Sequence, residues 1–60
     1  MNKEIMTRYK NTNYWYWIEN ENNTLCIIDT ENNKIYPTTI IINDEKEILK
    51  AVKLAIKLIK

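Results

Sequence analysis

Residues 44–60 read DEKEILKAVKLAIKLIK, and no other stretch constrains the fold so tightly. On a 3.6-residue period, Lys46, Lys50, Lys53, Lys57 and Lys60 fall on one narrow stripe. Ile48, Leu49, Ala51, Val52, Leu54, Ala55, Ile56, Leu58 and Ile59 fill the rest. That apolar arc is roughly 220° wide, where about 100° suffices to face a core. The spacing predicts an amphipathic helix over residues 44–59, with Val52, Ala55, Ile59 and Ile48 on its central apolar line. A helix so apolar needs a second surface to cover it, which points to self-association, as a homodimer or a higher even-numbered oligomer, or to a protein partner. Leu49, Leu54 and Leu58 are the residues expected at an oligomer interface. Asp44 is placed to cap the helix, and Glu47 stands three residues on, a capping-box spacing. Asp44, Glu45 and Glu47 crowd the positive end of the helix dipole and the lysines its negative end.

With 60 residues the chain is a single domain, 1–60, near the lower limit for independent folding. A chain this short is marginal unless it is cross-linked or oligomeric. Cys26 is the one cysteine, so no intrachain disulfide forms. Histidine is absent, which removes the commonest general base and the commonest transition-metal ligand. No metal site and no cofactor are expected. Nine basic and eight acidic residues give a net charge of +1, which favours neither a nucleic-acid binder nor an acidic mimic of one. No run of about eighteen apolar residues exists, so no spanning helix and no membrane partner are expected. Residues 1–10 hold no apolar signal-peptide core, and a reduced cytoplasmic location is predicted. Asn, Ile and Lys are abundant and share A/T-rich codons, as in the genomes of many phages and their Gram-positive hosts.

Three Asn-rich breaks divide the rest of the chain: Asn11-Thr12-Asn13, residues 20–23, and Asn32-Asn33. Glycine is absent, and asparagine is the next residue best able to take positive φ in a tight turn. The segments between the breaks are rich in Tyr, Trp, Ile and Thr, which fit a pleated surface. Strands are predicted near residues 3–10, 13–19, 24–30 and 34–42. The fold class is α+β: a three- or four-stranded antiparallel meander, then one C-terminal helix packed on one sheet face.

Two-residue loops at Asn22-Asn23 and Asn32-Asn33 would set the register. They pair Ile18 with Ile27, Trp17 with Ile28, Asp29 with Tyr36, Ile27 with Thr38, and Glu31 with Lys34. One face then carries Tyr16, Ile18, Leu25, Ile27, Tyr36, Ile40 and Ile42. The other carries Trp15, Trp17, Cys26, Ile28, Ile35 and Ile41, mixed with Glu19, Thr24, Thr30, Pro37 and Thr39. One helix covers only one of these faces.

The run Tyr14-Trp15-Tyr16-Trp17 has three readings. It is core plus dimer seam, a protein-binding hot spot, or a stacking platform for single-stranded nucleic acid. The last usually interleaves aromatics with Arg or Lys, and Arg8 is the sole arginine. Nucleic acid is therefore a disfavoured partner. Trp15, Trp17, Ile28 and Ile35 are the partner-binding candidates. The lysine stripe reads as a solvated helix face; contact with phosphate, anionic lipid or an acidic protein is the alternative. Cys26 sits mid-strand beside apolar residues, with no neighbouring base to activate it, and reads as structural. Asp29, Glu31 and Asp44 sit at turns or at the helix cap, where acids have structural roles. No catalytic residue is assigned, and no enzyme is expected in a chain too small for a closed pocket.

The layout from Tyr14 through Ile42 into Asp44-Glu45-Lys46-Glu47 resembles the AP2 domain and the arm-type DNA-binding domain of tyrosine integrases. Those families read DNA with arginine-rich sheet faces and a glycine-bearing strand. This chain has neither, so no DNA-contact residue carries over. In size and composition the whole chain is similar to the small anti-defence proteins of phages, which block host immune systems such as CRISPR or Hachiman. That resemblance implies a homodimeric inhibitor that occupies a host protein's surface in the host cytoplasm. The leading expectation is such a non-enzymatic interaction protein; the alternative is a small DNA-binding module of the AP2 or integrase-arm type.

Overall fold

A computed structural model describes residues 5–59. They form strands β1 (Thr7–Arg8), β2 (Tyr14–Ile18), β3 (Thr24–Asp29) and β4 (Lys34–Ile41). A 3-10 turn (Glu45–Glu47) then leads into helix α1 (Ile48–Ile59). The strands make one antiparallel sheet in the order β1-β2-β3-β4, with the helix on one face. This is the α+β meander-plus-helix that the periodicities predict. Within the expected 3–10 segment β1 holds only Thr7 and Arg8, and residues 1–4 lie outside the described residues.

The hairpin registers differ from the expected ones. Trp17 pairs with Cys26 and Ile18 with Leu25, and the pairing runs on through Glu19, whose N–H donates to the Thr24 carbonyl at 2.8 Å. Residues 20–23 thus form a four-residue loop, closed by Asn23 N–H donating to Glu19 O at 2.8 Å. At the second hairpin Asp29, not Glu31, pairs with Lys34, again leaving a four-residue loop over 30–33. Each register is displaced by two residues from expectation. Side chains alternate with a period of two, so an even displacement leaves every residue on its predicted face. Asn23 (φ 55°) and Asn33 (φ 56°) take the left-handed conformation at the ends of these loops. In the first connection that role falls to Lys10 (φ 51°) rather than to an asparagine.

The Asp29 carboxylate explains why the second loop is long. Its Oδ1 accepts from the Glu31 N–H at 3.1 Å, and its Oδ2 accepts from Asn32 Nδ2 at 2.7 Å. Asn13 Nδ2 also donates to Oδ1. An Asp that bonds the backbone two residues on builds an Asx-turn, and this one closes its own loop.

A bulge follows on β4. Cys26 pairs with Pro37 but Thr24 with Ile41, so Leu25 stands opposite Thr38, Thr39 and Ile40. Thr38 Oγ1 donates to the Leu25 carbonyl at 2.7 Å and accepts from the Ile40 N–H at 3.1 Å. The hydroxyl thus replaces the missing ladder contact. The excess is again two residues, so Tyr36, Thr38, Ile40 and Ile42 keep facing the helix. Pro37 lies on an edge strand, where its missing N–H is tolerated and hinders addition of a further strand.

Leu25, Ile27, Ile42 and Val52 are fully buried at the centre of the core. Ile18, Ala55, Ile56, Tyr9 and Tyr14 complete it, with Tyr16, Tyr36, Ile40, Ile48, Ala51 and Ile59 packed around them. Asp44 caps the helical segment: its Oδ1 accepts from the Lys46 N–H at 3.0 Å. The Glu47 N–H donates to the Asp44 carbonyl at 2.9 Å and not to the Asp44 side chain, as a capping box would have it.

Candidate functional site

The sheet face away from the helix gathers the candidate partner-binding residues. Along one ladder row Arg8 pairs with Trp15, Trp15 with Ile28, and Ile28 with Ile35. In the next row Trp17 pairs with Cys26 and Cys26 with Pro37. Beyond it Glu19 lies beside Thr24, and Thr24 pairs with Ile41. All these residues share one side because they alternate with the core residues Ile18, Leu25 and Ile27. Trp15, Trp17 and Ile28 are half-buried by their neighbours. Ile35 and Ile41 are 61% and 57% exposed. Among the described residues the helical segments pack on the other face, so this apolar surface lies open.

Its only charged members in these rows are Arg8, at one corner, and Glu19, toward the opposite end. Arg8 Nε donates to the Thr12 carbonyl at 2.8 Å, which ties the guanidinium to the adjoining turn. Cys26 lies low in the middle of the face, buried between taller neighbours. Burial first, and the charge of Glu19 second, push its thiol pKa up. The thiol therefore stays protonated at neutral pH and is a poor nucleophile.

The oligomer candidates on the helix divide between two flanks. Leu49, Leu54 and Leu58 are all exposed, Leu58 most at 78%. Leu54 and Leu58 lie one turn apart, but Leu49 is rotated about 140° from Leu54. Lys50, Lys53 and Lys57, all exposed, stand on the outward side between the flanks. A shallow groove of about 490 Å³ runs past Glu47, Lys50, Ala51, Lys53, Leu54 and Lys57. A second, of about 500 Å³, lies between the β4 edge and the helix end, with Tyr36, Ile40 and Leu58 in its walls. Lys60 lies outside the described residues.

The acids considered for chemistry are dispersed. Asp29 is buried and engaged by Asn32 and Asn13, Glu31 is exposed in the loop, and Asp44 caps the helical segment. Among the described residues no three His, Cys, Asp or Glu side chains gather closely enough to hold a metal ion. None of the described helices is long and apolar enough to cross a membrane. Sequence reasoning missed Tyr9 as a core residue and placed Tyr14 only within the aromatic run read as core plus dimer seam; the signal was an aromatic on each side of the Asn-rich turn. Compared with protein-family models, curated proteins and solved structures, the chain matches none.

Proposed function

We propose that this chain is a non-enzymatic protein-interaction module: a small phage-derived inhibitor that works as a homodimer and covers a surface of a host defence protein. One observation carries the interaction reading. The sheet presents Trp15, Trp17, Ile28, Ile35 and Ile41 on adjacent rows of a face that the described helix leaves open. Contiguous apolar patches on small proteins mark interaction sites, and Trp-centred patches supply most of the binding energy where they occur. The phage origin and the host target rest on size and A/T-rich codon composition.

Capture from the lysate of an A/T-rich Gram-positive host tests the proposal. The chain is expected to retain one host protein in stoichiometric amount. Trp15→Ala is expected to weaken that capture at least roughly tenfold with the fold intact. This holds whether the face meets the host protein directly or builds the dimer that meets it. An unchanged affinity would remove the sheet face from the function. Retention that instead goes to duplex DNA, and fades steeply with salt, would favour a DNA-binding module.

A further inference from the structure

We infer that the occupant of the open sheet face is a second copy of this chain, packed sheet on sheet about a two-fold axis parallel to the strands. This rests on the reading of that face as a protein contact surface and names its partner.

The centre of the sheet is the line between β2 and β3. On the open face the largest side chains, Trp15 and Trp17, stand on the β2 side of that line. Their ladder partners Ile28 and Cys26, both smaller, stand on the β3 side. A two-fold axis along the line lays β2 over the partner's β3. Trp15 then sits over the partner's Ile28, and Trp17 over the low position of the partner's Cys26. Large residues meet smaller ones twice, a size complementarity that suits an isologous interface.

The same operation carries Arg8, on edge strand β1, to the partner's Ile35 on edge strand β4. Glu19 comes to the partner's Thr24, whose hydroxyl can donate to the carboxylate. Among the described residues of these rows no like charges meet, and Arg8 and Glu19 both lie at the margin of the contact. Homodimer interfaces are more apolar than the average non-obligate one, and this centre shares that character.

Strands about 4.8 Å apart with a rise of about 3.3 Å per residue make this face roughly 15 by 18 Å before side chains are added. With side chains the footprint grows to roughly 20 by 23 Å, so aligned packing of two such faces buries on the order of 500 Å² per copy, about 1,000 Å² in total, the threshold for a specific interface. The alternative dimer, through the Leu54 and Leu58 flank of α1, is one helix wide. It would also bring the lysines of two copies together.

Sedimentation equilibrium at micromolar concentration tests this. The native chain is expected at twice its 7.3 kDa. Ile35→Lys changes a residue that is 61% exposed in the single chain, so the fold survives it. It is expected to weaken the dimer roughly thirtyfold or more. Leu54→Lys, on the helix flank, is expected to leave the mass unchanged. Adding Arg8→Glu to Ile35→Lys is expected to recover at least about tenfold of the lost affinity, an effect on the order of an apposed charge pair. Within one copy these two positions lie on opposite edges of the sheet, so the rescue arises only between copies. A native chain that stays monomeric overturns the inference, as does a dimer lost with Leu54→Lys but not with Ile35→Lys. Failure of the Arg8→Glu rescue overturns the two-fold geometry. Failure of the interaction reading shows separately, as capture of a host protein that Trp15→Ala does not affect.

Discussion

Asn32 Nδ2 donates to Asp29 Oδ2 at 2.7 Å, and this bond is the largest cause of an Asp29 pKa held below its ordinary 3.8. The backbone N–H groups of Asn32 and Glu31 and the side chain of Asn13 pull the same way, and burial opposes them. A carboxyl whose pKa falls on folding binds fewer protons in the native state than in the unfolded one. Its stabilisation is present above the unfolded pKa and is lost as pH falls through the lower folded pKa. The melting temperature should therefore drop as the solution is acidified below about pH 4. In Asp29→Asn that dependence should be shallower. Identical acid profiles for the two proteins, recorded by circular dichroism, would separate Asp29 from the loop's stability.

The helix face assignment makes a sharper contrast. Val52 is fully buried and Lys53 is exposed. Val52→Asp places an unpaired carboxylate in the core and should cost on the order of 3 kcal/mol or more, a large share of a small domain's stability. Lys53→Ala should cost under about 0.5 kcal/mol. Urea titration of both variants checks the ordering, and equal midpoints would contradict it.

Thr38 carries the bulge. Thr38→Val keeps the shape but removes the hydroxyl that serves both the Leu25 carbonyl and the Ile40 N–H. A buried carbonyl left without its donor costs about 1–3 kcal/mol. Thr38→Ser, which keeps the hydroxyl, should recover most of that loss in the same denaturation experiment.

These residues also show where the sequence was legible. The lysines recur at helical spacing, so the wet side of α1 and its buried line through Val52 and Ala55 follow from periodicity alone. Strand faces were legible too, because apolar alternation survives any even error in register. Loop lengths were not. They depend on side-chain bonds, chiefly those of Asp29, between residues that only folding brings together. The bulge at Thr38 escaped for the same reason: a threonine that completes a ladder reads like any other strand threonine. Trp15, Trp17, Ile28 and Ile35 do share one face, as the alternation implied. Leu49 is set apart from Leu54 and Leu58, a division that their common exposure hid.

Both tryptophans lie on the open face and are half-buried there by their own sheet. The core on the other side contains none. The tryptophan emission maximum, followed as the chain is diluted, therefore reports directly on what covers that face. If it is the contact surface, the emission should lie to the blue when the chain is assembled and move to the red as it dissociates, while the circular dichroism stays constant. A dissociation seen by sedimentation with no accompanying shift in emission would place the contact elsewhere and contradict the account.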